Sequence, residues 1–294
     1  AWVRKCFTPR PGRRFGESDF GALEFRILSA VWQDPEMVSY CCDGSKDIHR
    51  DTAMKVYLLP KDEVSKDTRY AAKNKFVFPE FYGSYYVPCA KHLWDSMDEL
   101  KLETAKSKIP LKEWMRTKGI TELGRCNAKE EPVEGTFEYH IQQVEKDFFY
   151  TFRVFKERTE AFIKDYQNHG YFDFVTGFRV HGLCSKNDLL SYPIQGPGFH
   201  CLLLTIILML EKLKKYRFKT LIVGQIHDCT VSDLVEKETQ DYLDLIQETV
   251  EVDLPKYWDW IKVPLTIEAE VTPVDGSWYE KKKWEKKDGT WEPA

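Results

Sequence analysis

The spacing of apolar and polar positions divides the chain into extended and helical stretches. Phe20 to Trp32 (FGALEFRILSAVW) mixes the two periods and predicts a strand running into a helix. From Asp47, DIHRDTAMKVYLL sets apolar residues at helical spacing behind a capping aspartate, and a second helical pattern starts near Asp67 in DTRYAAKNKF. Val144 to Tyr166 repeats apolar residues every three or four positions, which predicts one long amphipathic helix. His169 to Gly182 (HGYFDFVTGFRVHG) alternates around Thr-Gly and predicts a hairpin, and a helix over Gly196 to Tyr216 follows. Lys219 to Asp228 (KTLIVGQIHD) reads as a short buried strand. VSDLVEKETQDYLDLIQETVEV after it reads as an acidic amphipathic helix, and Val263 to Val271 as a last strand. Lys91 to Glu138 is charged and turn-rich and reads as an insertion. The segment from Ser277 shows no core-forming period.

At 294 residues and 43% apolar, the chain can bury a sizeable core, as one composite domain or two lobes. The longest apolar run, Cys201 to Leu210 (CLLLTIILML), is far short of the roughly 20 residues a membrane-spanning helix needs and predicts a buried helix. The first 20 residues lack the apolar core and cleavage site of a signal peptide. A formal net charge of −4 argues against a simple electrostatic nucleic-acid binder, so charge distribution must matter more than the total. The 8 cysteines form no paired C-x-x-C sets, which signals neither zinc nor a disulfide framework; reduced thiols in a cytoplasmic compartment fit best.

The candidate chemistry begins with two carboxylates. Asp19, read at a strand's start, is followed by Glu24 and Arg26, and Asp228 ends the strand KTLIVGQIHD. Alone, each aspartate fits an ordinary turn or cap. Brought together by adjacent strands, they make an oxygen-rich site for hard Mg²⁺ ions, as two-metal nucleotidyl transfer requires. Arg69 and Lys73, four apart, share a helical face that suits either solvent or a triphosphate. The aromatic set FVFPEFYGSYY (Phe76 to Tyr86) fits core packing and base stacking equally.

In this order the motifs resemble those of family A DNA polymerases, with a phage-like flavour, over nearly the whole chain. Asp19, Glu24 and Arg26 match the first palm motif. Arg69, Lys73, Phe78, Tyr82 and Gly83 match the fingers motif, Pro193, Gln195 and Gly196 the Pro-x-Gln-Gly helix, and His227 with Asp228 the last palm motif. CFTPRPG, TGFRVHG, and VPLTIE before Gly276 and Trp278 agree at the edges. Five departures stand out. Lys73 and Phe78 are five residues apart where the family usually has four, and Pro79 stands where it commonly has Gly, so the helix should kink or restart between Lys73 and Tyr82. Cys229 replaces the acid that commonly follows the catalytic Asp, and Asn187 and Ser191 stand where Arg and Asn are frequent.

The resemblance implies an α+β fold: a palm whose small antiparallel sheet bears the catalytic carboxylates, and a mostly helical fingers subdomain, without thumb or exonuclease. It places palm at 1–35 and 186–276, fingers at 36–185 with an insertion around 91–138, and a tail at 277–294. The implied activity is template-directed extension of a primer 3′ end with dNTPs, releasing pyrophosphate. Asp19, Asp228 and Lys73 would be catalytic; Asp19, Asp228 and the Phe20 carbonyl would hold two Mg²⁺ ions, with Mn²⁺ able to substitute. Arg69, Lys73, Phe78, Tyr82 and the steric gate Glu24 would bind the dNTP, and Gln195, His227, Arg26 and Arg179 the primer-template DNA. A separate thumb- or exonuclease-bearing chain is an implied partner, with no membrane and a cytoplasmic setting, the host's if the protein is viral. Two alternatives stand beside this reading: a phage-type single-subunit RNA polymerase, which Glu24 disfavours, and a degenerate DNA-binding subunit, which Asp19, Lys73 and Asp228 disfavour.

Overall fold

The computed structural model describes residues 2–294. Strand β1 (Arg13–Phe20) leads into α1 (Leu23–Trp32). A helical stretch follows: α2 (Pro35–Cys42), α3 (Ile48–Val56), α4 (Lys66–Ala72), a π-helical turn over Lys73–Val77, α5 (Phe78–Phe81), α6 (Tyr86–Glu99), α7 (Leu111–Thr117), α8 (Phe137–Thr151) and α9 (Arg153–His169). The hairpin β2 (Tyr171–Asp173) and β3 (Arg179–His181) precedes α10 (Lys186–Lys215). Next come β4 (Leu221–Ile226), β5 (Cys229–Val235), α11 (Thr239–Glu248), α12 (Leu254–Tyr257), β6 (Ile267–Val271), β7 (Lys282–Lys287) and β8 (Thr290–Pro293).

Two compact units divide the chain. The first takes everything up to Val31, Tyr171–His181 and Tyr192–Ala294; the second takes Trp32–Gly170 and Gly182–Ser191. The first is built on an antiparallel sheet of order β4-β5-β1-β6-β7-β8. Its core joins Met209 and Leu213 of α10, Leu234 of β5, Tyr242, Leu243 and Ile246 of α11, Ala269 and Val271 of β6, and Trp291 of β8. The second unit is helical and centres on Phe76, Phe81, Phe148, Phe152 and Phe155, whose rings meet edge-on or tilted. The chain is thus mixed α and β, one unit packing helices on an antiparallel sheet and the other largely helical.

Several elements differ from the sequence expectation. Asp19 stands at the far end of β1, not at a strand's start. The helix expected over Val144 to Tyr166 is two helices, α8 and α9, broken at Phe152. Asp34 makes the break: one of its oxygens caps α2 through the Glu36 and Met37 N–H groups, and the other accepts the Phe155 N–H at the start of α9. α10 starts ten residues before Gly196, because Ser185 and Asp188 cap it reciprocally and Pro193 and Pro197 are tolerated inside it.

The residues VSDLV belong to the buried strand β5, not to the start of a helix; with both faces buried, the strand shows no alternation. β4 is the largely exposed one, against the expectation of a buried strand. The stretch 91–138, read as an insertion, is integral to the helical unit: Leu93, Met97, Leu102, Leu111 and Met115 are all buried. The segment from Ser277 carries β7 and β8 around Asp288-Gly289, both at positive φ, and buries Trp291. An Asp-Gly between extended runs is a strong hairpin signal.

Candidate active site

In the first unit the register of the sheet fixes the carboxylates. Asp19 pairs directly with Cys229 of β5 on one side and with Glu268 of β6 on the other. Asp228 stands in the two-residue turn joining β4 to β5, beside Asp19's partner. That turn holds His227 at φ 52, and the Gln225 amide donates to the His227 carbonyl at 3.0 Å. A cavity of about 390 Å³ opens over this turn, lined by Leu23, Glu24, Ile194, Gln195, Gly198, Phe199, His227 and Asp228. Four residues singled out from the sequence, Glu24, Gln195, His227 and Asp228, therefore share one cavity. Phe20 is the last residue of β1, its side chain buried.

Burial is the largest cause, followed by the charges of Asp228, Glu17 and Glu268, in pushing the Asp19 carboxyl up to about 6. Its Oδ1 is buried without a hydrogen-bond partner. Burial also raises Glu17, but hydrogen bonds from Lys281 and the Trp278 indole outweigh it and hold Glu17 below the ordinary range. An orphaned oxygen amid repelling acids fits a divalent cation. Among the described residues no three His, Cys, Asp or Glu side chains form a ready-made ligand set. That suits a hard ion that takes one or two carboxylates and completes its shell with water and phosphate oxygens. Cys229 contributes no charge: burial first, then the nearby acids, push its thiol up to about 12.

Other predicted residues are held by the protein itself. Arg26 donates to the Gly21 carbonyl at 2.8 Å and to the Pro264 carbonyl, clamping the junction between β1 and α1. Arg179 grips Asp173 through two bonds, 2.7 and 2.8 Å, and covers the Tyr171 ring. On α10, Gly196 lies under Phe174: a Cβ there would come within 2.1 Å of the ring. Only glycine allows the β2–β3 loop to close over the residue after Gln195.

In the helical unit the fingers-motif residues line up on one face. Asp47 caps α3 through His49 and Arg50, and its other oxygen takes Arg69 at 2.6 Å. The Lys73 ammonium lies 5.5 Å from the Phe78 ring centre. Phe78 stacks on Tyr82 with 6.2 Å between centroids and 12° between planes. The π-helical turn between Lys73 and Phe78, with the Phe78 N–H bonded to the Lys73 carbonyl, absorbs the five-residue spacing and returns Phe78 to Lys73's side. α5 restarts with Pro79 in its first turn, where a missing N–H is harmless. His49 packs on Phe78, and burial, followed by the charges of Arg69 and Lys73, pushes its imidazole down to about 3.

Sequence reasoning missed Glu17, Glu268 and His49 as parts of these sites. Glu268 was visible only as an edge match in VPLTIE; its place opposite Asp19 depends on a strand pairing that no local pattern encodes.

A strand-end aspartate, a hairpin-turn His-Asp beside it, and a Gln-Gly helix at the same cavity stand in the arrangement that the motif resemblance leads one to expect of a polymerase palm. Residues 1–110 match the model of DNA polymerase family A. DNA polymerase I of Aquifex aeolicus is 25% identical over 252 residues, 84% of this chain and 37% of the relative. That of Caldicellulosiruptor bescii is 24% identical over 281 residues, 95% of this chain and 28% of the relative. The chain thus spans about a third of the length of the relatives it matches. The solved POL domain of Pol1 from M. smegmatis, in complex with DNA primer-template and dNTP, superposes with a TM-score of 0.68 at 18% identity, over 94% of this chain and 42% of that one. The chain thus resembles family A DNA polymerases in its first 110 residues and shares the fold of a polymerase POL domain over most of its length.

Proposed function

We propose that this chain catalyses template-directed DNA synthesis, adding dNTPs to a primer 3′ end with release of pyrophosphate. The observation that carries the reading is the cavity over the β4–β5 turn, where Asp228 lies with Glu24, Gln195 and His227, next to the orphaned oxygen of Asp19. Asp19, Asp228 and the Phe20 carbonyl would hold Mg²⁺, with Mn²⁺ as a substitute. Two such ions, when bound, lower the pKa of the primer hydroxyl and neutralise the triphosphate. Glu24, projecting into the cavity from the first turn of α1, would exclude a 2′ hydroxyl from the incoming sugar. Gln195 and His227 would contact primer-template DNA, Gln195 through base edges and His227 through the primer-end phosphate. The helical unit would supply Lys73 and Arg69 for the β- and γ-phosphates, and the Phe78–Tyr82 stack for the nascent pair. Arg69 would have to exchange Asp47 for phosphate, whereas Lys73, seated over a ring, needs no such exchange.

The test is primer extension on a primed template with Mg²⁺, comparing dNTPs with rNTPs. Asp228→Asn should lower extension by at least about 10³-fold, on the scale of losing a principal electrostatic element of a transition state. Glu24→Ala should gain rNTP incorporation while retaining dNTP use. Preference for rNTPs by the unmodified chain would instead assign it to RNA synthesis, and DNA binding without metal-dependent extension would make it a binding subunit.

A further inference from the structure

The acid that commonly follows the catalytic aspartate is Cys229 here, and the same sheet carries another carboxylate in an equivalent place. Asp19 is flanked symmetrically, by Cys229 on β5 and by Glu268 on β6, each directly opposite it in the register. Directly opposed residues of an antiparallel pair point to the same face with Cβ atoms roughly 5 Å apart. Glu268 therefore shares Asp19's face, one strand over on the side away from Cys229. It is exposed, and its side chain makes no hydrogen bond or ion pair among the described residues. The other acid near Asp19, Glu17, is already engaged by Lys281 and the Trp278 indole.

We propose that Glu268 supplies, from β6, the negative charge that Cys229 withholds on β5, and so strengthens divalent-cation binding at the Asp19–Asp228 site. The inference rests on the polymerase reading of that site. Glu268 acts as a positioning residue: it raises cation affinity through the field at the sheet's end and through ordered water. The free end of its side chain and its exposed position suit that role. A neutral thiol on one flank is then matched by a carboxylate on the other.

The experiment uses Mn²⁺ as the probe, with free ion measured by electron paramagnetic resonance in the absence of DNA and nucleotide. Glu268→Gln should weaken Mn²⁺ binding about tenfold, the scale typical of removing a group beyond the direct ligands. The Mg²⁺ concentration for half-maximal primer extension should rise by the same factor. Glu285→Gln, which removes a charge elsewhere on the sheet, should leave both unchanged. Adding Cys229→Glu to Glu268→Gln should restore Mn²⁺ binding to within about threefold of the starting protein, because the charge returns on the opposite flank. Thermal melts confirm that each variant is folded. The proposal is overturned if Glu268→Gln binds Mn²⁺ normally while Asp19→Asn and Asp228→Asn lose it, or if Cys229→Glu restores nothing. If neither aspartate substitution affects Mn²⁺ binding, the underlying reading of the site falls first, and this inference with it.

Discussion

Asp19 illustrates how a side chain placed for cation binding, as proposed above, works against the fold that holds it. Its folded pKa of about 6 lies above the ordinary 3.8, so the folded protein binds this proton more tightly than the unfolded chain does. The resulting stability is fully present below about pH 4 and is lost as pH rises through 6. Asp19→Asn should therefore stabilise the cation-free protein at pH 8, by about 1 kcal/mol once solvent screening of this half-buried group is allowed for, or about 2–4 °C in Tm. At pH 4 the gain should vanish. Calorimetric melts in a chelating buffer at both pH values check this, and a lower Tm for Asp19→Asn at pH 8 would contradict it. Gly196 is the converse case, a residue with no chemistry whose smallness the site requires. A Cβ 2.1 Å from the Phe174 ring cannot be accommodated without moving the ring, so Gly196→Ala should cost about 1–3 kcal/mol. Phe174→Leu in the same chain should recover part of that loss, as chemical denaturation would register.

At the scale of elements, the π-helical turn is the most local adaptation. A regular helix would carry Phe78 round to a different side from Lys73, and the wider turn brings it back. The exposed Asn74 is thus a surplus residue. Its deletion should convert Lys73–Val77 to ordinary helix with the Lys73–Phe78 contact kept, at a cost of about 1 kcal/mol or less. Deleting the fully buried Phe76 should unfold the unit. Circular dichroism and primer extension on both variants separate the cases; equal damage from both would show that the turn is not a tolerated insertion. The same distinction between local and distant causes explains what was legible beforehand. Caps such as Asp47 and hairpins such as β2–β3 are written in neighbouring residues, and they could be read. The break at Phe152 depends on Asp34, more than a hundred residues away, and β5 lacks alternation because both of its faces are buried. The two aspartates were legible from the residues around them, DFGALEFR and QIHD, even though Asp19 ends its strand where the sequence had it begin one, whereas Glu268 acquires its meaning from pairing alone. The closing hairpin was an oversight of a different kind, since Asp288-Gly289 announced it.

For the whole molecule, the question is how a chain with 43 basic and 47 acidic residues would hold a polyanion. Many of its arginines and lysines are committed to internal partners: Arg10 and Arg13 to Asp233, Arg69 to Asp47, Arg179 to Asp173, Lys281 to Glu17 and Glu270. These commitments leave fewer cations free for phosphate, and the acids around Asp19 repel phosphate until a cation is bound. DNA affinity should then rest on a few phosphate contacts plus stacking and divalent ions. The measurable consequence is a shallow salt dependence. For primer-template DNA at fixed Mg²⁺, log K should fall against log salt with a slope of about −2 to −4, the value for two to four neutralised phosphates. Fluorescence anisotropy over a salt series yields the slope, and repeating it without Mg²⁺ should weaken binding at every salt concentration. A slope of about −7 or steeper would mean that many more phosphates are neutralised than these few contacts allow, and would move the DNA-binding energy away from the carboxylate site.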